Sequence, residues 1–479
     1  MIDSRINLTM LTDFYELTMT NGYLEYGMDK RIGCFDMFFR RIPDDGGFAI
    51  MAGIQQLCEY IKAMRFTEED IEFLRSKKLF SEKFLDYLKN FDFCCDVWVV
   101  PEGTPVFPHE PIVIVRGPLI QAQFVETMIL LTVNHQSLIA TKTNRIVRAA
   151  EGKRVVEFGS RRAQGPDAAV LGARAAYIGG CAGTACTVAE ELYGIPAVGT
   201  MAHSWIQAFD SEYEAFKAYA ALYPNNCVLL VDTFNVLKSG VPNAIKAFKE
   251  VLVPMGARPK GIRIDSGDIT YLSKKARVML DEAGFSDCEI MASNSLDEHI
   301  IRGTLRQGAK IDAFGVGERL ITSKSEPVFG GVYKLVSVEH DGVEIPKIKK
   351  SENVAKITTP GFKTLYRLYE KESGKAIADV VTLFDEEIDE NAPYTIFDPE
   401  HTWKKKTVTD FTARKLLVQA FDKGKCVYPE YTLEEIRNYC KQQVSLLWDE
   451  VVRFENPHKY YVDLSQKLWN MKHKLLEEN

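Results

Sequence analysis

No stretch of this chain approaches the roughly 20 consecutive apolar residues that a membrane-spanning helix needs. The N-terminus, MIDSRINLTMLTDFYELT, carries Asp3, Asp13 and Glu16 and lacks a signal peptide's apolar centre, so a cytoplasmic location is expected. Ten cysteines are scattered without a C-x-x-C, and eight histidines without H-x-H or H-x-x-x-H. Structural zinc and a disulfide framework are disfavoured, and the thiols are expected as small buried hydrophobes in a reducing compartment. Neither a Walker-type G-x-x-x-x-G-K-[ST] nor a Rossmann G-x-G-x-x-G after a strand occurs. The net charge is −7 with signs interspersed, which argues against a nucleic-acid binder with a basic stripe. Repeats and low-complexity segments are missing too.

What remains is an ordinary globular composition, 46% apolar and 26% charged, over 479 residues. That length exceeds one compact core. We expect an N-terminal α/β domain over 1–140, completed by C-terminal segments, an α/β barrel over 141–340, and a C-terminal hairpin and helical region over 341–479. The middle region alternates apolar runs with helical stretches. Strands are expected at Arg154–Phe158, Ile195–Thr200, Cys227–Asp232, Gly261–Asp265, Cys288–Ser293 and Lys310–Val316, with a seventh at Gly330–Val338. They are short, rich in Val and Ile, and lack polar alternation, as strands buried on both faces do. A closed or nearly closed parallel barrel fits this order, and a doubly wound open sheet fits it equally. Val97–Pro118 reads as short antiparallel strands, Leu119–Ala150 as a long connecting helix, and His340–Gly342 as a hairpin turn. From Leu433 onward the pattern is amphipathic helix, with a loop at Asn456–Pro457.

Three glycine-flanked polar clusters end apolar runs: VEFGSRRAQGPDA (Val156–Ala168), VGTMAHSWI (Val198–Ile206) and KGIRIDSGD (Lys260–Asp268). Guanidinium forks grip carboxylate or phosphate, and aspartate accepts from sugar hydroxyls. His203 is the side chain among them whose ordinary pKa lies near neutrality. Glu157, Arg161, Thr200, His203, Asp232, Asp265, Ser293, Asn294, Gly315 and Gly317 all fall at or just beyond strand C-termini, the active-site end of parallel α/β folds. The combination points to enzyme chemistry on a phosphosugar. Asp268 reads as a helix cap rather than a ligand group.

At these motifs, together with TDFYELTM, FFRRIP, GGVYKL and NPHKYYVDLSQKLW, the chain resembles the nicotinate phosphoribosyltransferase family of NAD salvage over nearly its whole length. The resemblance implies an N-terminal α/β domain, an irregular (β/α) barrel and a C-terminal extension. It implies joining of nicotinate to phosphoribosyl pyrophosphate, ATP hydrolysis coupled through a phosphohistidine, and a homodimer with active sites at the interface. Mg²⁺ is then expected through the substrate pyrophosphate rather than a protein cage.

On this resemblance His203 is the phosphorylated residue and Asp265 the ribose-binding, charge-stabilising carboxylate, with Arg263 beside it. Arg161 or Arg162 grips an anion, and Thr200 lies in the same motif as His203. Gly315 and Gly317 bring backbone N–H groups to the 5-phosphate, shared with Ser293 and Asn294. The family's small hydroxyl after the second glycine is replaced by Glu318, so Thr322 is expected to serve instead. Tyr15 corresponds to the aromatic stacked on the pyridine, and Phe158 forms a second wall. Arg40, Arg41 and Lys142 are candidate pyrophosphate contacts. Glu157 would repel a pyridine carboxylate unless paired with Arg161 or turned into the barrel. Use of nicotinamide or quinolinate is the nearest alternative, and a phosphosugar lyase or isomerase a more distant one.

Overall fold

The computed structural model describes residues 6–478. Chain contacts divide into two units, Met1–Thr141 with Val328–Asn479, and Lys142–Pro327.

The first unit is built on a seven-stranded sheet. Its order is Val343–Pro346, Val332–His340, Ile32–Phe38, Val113–Pro118, Asp96–Val99, Val418–Asp422, Lys425–Cys426, and every neighbouring pair is antiparallel. The segment expected as a seventh barrel strand therefore lies elsewhere: Val332–His340 pairs along its length with Ile32–Phe38. Only four of its nine residues are buried, which suits an antiparallel strand and not a doubly buried parallel one. The His340–Gly342 turn is a hairpin, with Asp341 at φ 50° and Gly342 at φ 76°, the two positive values a tight right-twisted hairpin requires.

A four-stranded sheet follows, ordered Phe411–Lys415, Lys363–Glu370, Ala376–Leu383, Val462–Leu464. The three-residue strand Val462–Leu464 interrupts what sequence presents as a helical tail, between helices Leu433–Ser445 and Gln466–Glu477. One buried charged knot ties early and late segments. Arg367 donates to both carboxylate oxygens of Asp379 (2.8 and 2.6 Å) and to Pro105 O, and Tyr460 Oη donates to Asp379 Oδ1 at 3.0 Å. The Phe107 ring stacks on Tyr460 at 3.9 Å. Glu110 is fully buried beside them, and burial followed by the Asp379 charge pushes its carboxyl well above the ordinary range.

The second unit holds a five-stranded, all-parallel sheet. Its order is Arg154–Glu157, Ala313–Val316, Glu289–Ser293, Gly261–Ile264, Val228–Leu230. Five of the expected strands are thus present. Ile195–Thr200 is not a full strand: Ala197 makes a single parallel bridge to Thr184, which bridges to Glu157. Pro196 lacks the N–H that a longer ladder would use. Helices Pro166–Ile178, Glu212–Leu222 and Ile269–Glu282 belong to this unit. Ser211 and Asp268 cap the latter two through their side chains, as expected for Asp268. The apolar core gathers Leu229, Leu230, Ile262, Ile264 and Ile290 from the strands with Phe216, Phe248 and Leu280 from the helices.

Seven of the ten thiols are buried, Cys186 and Cys426 are half-buried, and Cys94 is exposed; none forms a disulfide. Among the described residues no helix is long and apolar enough to cross a membrane.

Candidate active site

The C-terminal ends of the parallel strands in the second unit bring the polar clusters together. Arg263 and Asp265 flank Ile264 at the end of Gly261–Ile264, and the two-residue strand period sends both side chains to one face. Arg263 Nη2 lies 3.7 Å from Asp265 Oδ2, and its Nη1 donates to Thr200 Oγ1 at 2.9 Å. Asp265 Oδ1 accepts from Ser293 Oγ of the neighbouring strand. Ser293 thus serves the carboxylate and is buried, whereas the exposed Asn294 takes up φ 91°.

His203 opens the short helix His203–Gln207. Its ring stands with Nε2 3.9 Å from Asp265 Oδ2 and Nδ1 3.0 Å from Thr233 Oγ1, and the side chain is 41% exposed. The imidazole therefore has one nitrogen engaged and the other turned toward the carboxylate, with solvent access for a substrate. His203, Asp265, Arg263, Thr200 and Ser293 form one connected group.

Phe158, Arg161 and Arg162 follow the strand Arg154–Glu157 on a tight turn, with Ser160–Arg162 in a 3₁₀ conformation. Arg263 Cζ sits 6.0 Å over the Phe158 ring. Gly315 is buried inside the ladder, paired on both sides. A Cβ there would fall 2.4 Å from the Phe158 ring, so this glycine makes room for the aromatic wall. Gly317 is the residue before helix Glu318–Ile321 and approaches the Phe158 carbonyl in the same way, 3.0 Å from a built Cβ.

The two arginines are both exposed. Arg162 Nε lies 3.9 Å from Glu318 Oε2, and Glu318 Oε1 takes Lys324 Nζ at 2.6 Å. The Lys324 ammonium holds the Glu318 carboxyl below its ordinary range. Arg162, Gln164, Glu318, Thr322, Lys324 and Pro327 line an open cavity of about 360 Å³. The Thr322 hydroxyl donates to Glu318 O at 2.7 Å, so it is already engaged on its own helix.

Glu157 is turned inward. It is fully buried, accepts from Thr184 Oγ1 at 2.6 Å and from the Gly159 N–H, and burial raises its carboxyl despite those bonds. It anchors the arginine-bearing turn and faces no ligand space. Lys142 is likewise buried, its ammonium 2.7 Å from Glu298 Oε1 and 2.7 Å from Ser325 Oγ, with Arg145 on the same carboxylate. It does not join the His203 group.

Tyr15 and Arg40 belong to the first unit. Tyr15 lies on the first turn of helix Phe14–Glu25 and is 44% exposed, with burial and the Glu126 carboxylate raising its phenol. Arg40 donates to Ala355 O at 2.9 Å and lies over the Phe38 ring. Two residues carried no assigned role in sequence: Thr233, on the histidine of the group, and Thr184, which holds the buried Glu157. The position of Thr233, directly after an apolar run ending in Asp232, was the available signal.

Family models match in three pieces. The nicotinate phosphoribosyltransferase N-terminal domain covers residues 10–134, the quinolinate phosphoribosyl transferase C-terminal domain 139–327, and the nicotinate phosphoribosyltransferase C-terminal domain 362–472. A two-part phosphoribosyltransferase architecture is the class these define. The chain is 42% identical over 474 residues to a nicotinate phosphoribosyltransferase of Bacillus subtilis, spanning 98% of this chain and 96% of that protein. Against the human protein of that name it is 30% identical, over 96% of this chain and 95% of the other. The crystal structure of human nicotinic acid phosphoribosyltransferase superposes with a TM-score of 0.84 at 28% identity, over 97% of this chain and all of that one. A nicotinate-nucleotide pyrophosphorylase from Pyrococcus furiosus shares the fold, with a TM-score of 0.71 at 24% identity over 93% of this chain and 97% of that one. This chain belongs to the nicotinate phosphoribosyltransferase family.

Proposed function

We propose that the protein joins nicotinate to phosphoribosyl pyrophosphate, giving nicotinate mononucleotide and pyrophosphate for NAD salvage, and couples this to ATP hydrolysis through phosphorylation of His203. The observation that carries the reading is the His203–Asp265–Arg263 group, with the imidazole 3.9 Å and the guanidinium 3.7 Å from one carboxylate oxygen.

In the transfer step the pyridine nitrogen attacks C1 of the sugar, and the C1–O bond to pyrophosphate breaks with its electron pair leaving on oxygen. Positive charge builds at C1 in between. A fixed carboxylate facing that carbon lowers the barrier because it needs no reorganisation as charge appears. Asp265 has that rigidity: Ser293 holds one oxygen, and Asp232 Oδ2 accepts from the Asp265 N–H at 3.0 Å. In the coupling step an imidazole nitrogen attacks the γ-phosphorus of ATP, the bond to ADP breaks, and water later cleaves the N–P bond. Phosphate added beside Asp265 and Arg263 changes the local charge and so the affinity for anions.

Arg161 or Arg162 is assigned to the pyridine carboxylate or the phosphate, Phe158 to one wall of the pyridine, and the backbone at Gly317 to the 5-phosphate. Pyridine stacking by Tyr15, phosphate contacts by Arg40 and Lys142, and a homodimer are carried in the proposal on the family likeness alone. The five parallel strands with the bridged segments at Thr184 and Ala197 are read as the irregular barrel of that family. Mg²⁺ would be held chiefly by substrate phosphates. Asp232 Oδ1, a buried oxygen with no hydrogen-bond partner, is a side-chain atom that could complement such an ion.

Steady-state rates with nicotinate, nicotinamide and quinolinate, with and without ATP, test the proposal. Nicotinate is expected to be preferred and ATP to stimulate. His203→Ala should retain weak transfer but lose ATP coupling. Preference for the amide, or undiminished ATP hydrolysis in that variant, would overturn the reading.

A further inference from the structure

The strand Val228–Leu230 runs into Asp232 and Thr233, two adjacent residues that hold the two chemical halves of the site. Asp232 Oδ2 accepts the backbone N–H of Asp265 at 3.0 Å and the Ser266 hydroxyl at 2.5 Å. Thr233 Oγ1 meets His203 Nδ1 at 3.0 Å. The strand ends at Leu230 and the chain bends at Thr233, and this one dipeptide reaches both neighbours. Among the described residues Thr233 is the hydrogen-bond partner of the His203 ring, and the Asp265 oxygen at 3.9 Å is beyond hydrogen-bond distance.

We infer that Thr233 is a positioning residue for His203: its hydroxyl fixes the rotation of the imidazole, so that the remaining nitrogen stays aimed at the space in front of Asp265. The inference rests on the proposed phosphohistidine role of His203. A half-exposed imidazole on the first residue of a five-residue helix has little packing to orient it. A terminal ring torsion is broad and roughly two-fold, so an untethered ring divides between orientations. One hydrogen bond at Nδ1, which the hydroxyl can make as donor or acceptor, selects between those orientations. The transfer of phosphoryl then proceeds from a ring already in place, while Asp232 independently keeps Asp265 at its station.

The test is Thr233→Val, which keeps the side chain's volume and removes the hydroxyl, compared with Thr233→Ser, which keeps the hydroxyl. Three quantities are read in the full-length protein: the rate at which [γ-³²P]ATP labels the enzyme, the ratio of ATP-stimulated to ATP-independent transfer, and the ¹⁵N shifts of His203. Losing one net hydrogen bond is expected to lower labelling and the ratio about tenfold in Thr233→Val. The ¹⁵N shifts should move toward those of a freely exchanging imidazole. Thr233→Ser should recover most of the labelling. Undiminished labelling in Thr233→Val, or a Thr233→Ser variant as deficient as the valine, overturns the inference. Labelling that survives in His203→Ala would instead sink the phosphohistidine reading, so the two failures are distinguishable.

Discussion

Replacing Asp265 by Asn removes one charge while leaving an oxygen to accept from Ser293. The consequence can be worked from the geometry. An opposite charge about 4 Å from a carboxylate, at an effective dielectric of about 20, is stabilised by about 4 kcal/mol. The side chain is 27% exposed, so solvent already screens part of that interaction. About 3 kcal/mol is a fair expectation for a transition state that bears nearly a full positive charge at C1. That corresponds to roughly a 150-fold loss in the transfer step. The loss should fall mainly on single-turnover formation of nicotinate mononucleotide, measured with saturating substrates, and much less on substrate affinity. The melting temperature should change little, because Asn preserves the oxygen that Ser293 meets. A loss below tenfold in that single-turnover rate would refute the reasoning and leave Asp265 a structural residue.

Two further outcomes are expected. Glu110 has its carboxyl raised by burial and by Asp379. Its contribution to stability is therefore complete below its unfolded value, near pH 4.5, and is lost as pH rises toward its folded value. Glu110→Gln removes that dependence, so the stability of the variant relative to the parent should climb as pH rises above 4.5, by up to about 1.4 kcal/mol per unit; a flat difference in denaturant titrations contradicts this. Gly315→Ala places a methyl 2.4 Å from the Phe158 ring. It should cost about 1–3 kcal/mol of stability as overpacking and raise KM for nicotinate, and a variant with unchanged KM would remove Phe158 from the pyridine wall.

Much of the second unit was legible because its strands are buried on both faces, and each apolar run ends at the polar residue that matters. Arg263 and Asp265 follow from the two-residue strand period alone. The strand Val332–His340 misled because GGVYKLVSV is as apolar as a parallel strand, while its partner, Ile32–Phe38, lies roughly 300 residues earlier. Periodicity carries no information about pairing over such a distance. Glu157 was ambiguous for a different reason: whether a carboxylate faces a ligand or the interior depends on Thr184 and the Gly159 N–H, which only the fold brings to it. Lys142 resembles a phosphate ligand in sequence, yet Glu298, far along the chain, takes its charge. Thr322 shows the same limit, since nothing in a hydroxyl residue after a helix tells whether it serves substrate or its own backbone.

The pairing of Ile32–Phe38 with Val332–His340 also bears on synthesis. A ribosome adding about 5–20 residues per second needs on the order of 15–60 s to deliver the later partner after the earlier one has emerged. Throughout that interval both borders of the nascent sheet, at Ile32–Phe38 and at Asp96–Val99, present open peptide groups, the kind of edge that invites pairing with a neighbouring nascent chain. The Lys142–Pro327 unit is made in the meantime and holds its own apolar core. Completion of this sheet therefore waits for the last third of the chain, and premature termination after Pro118 and before Val418 leaves at least one border of it unpaired.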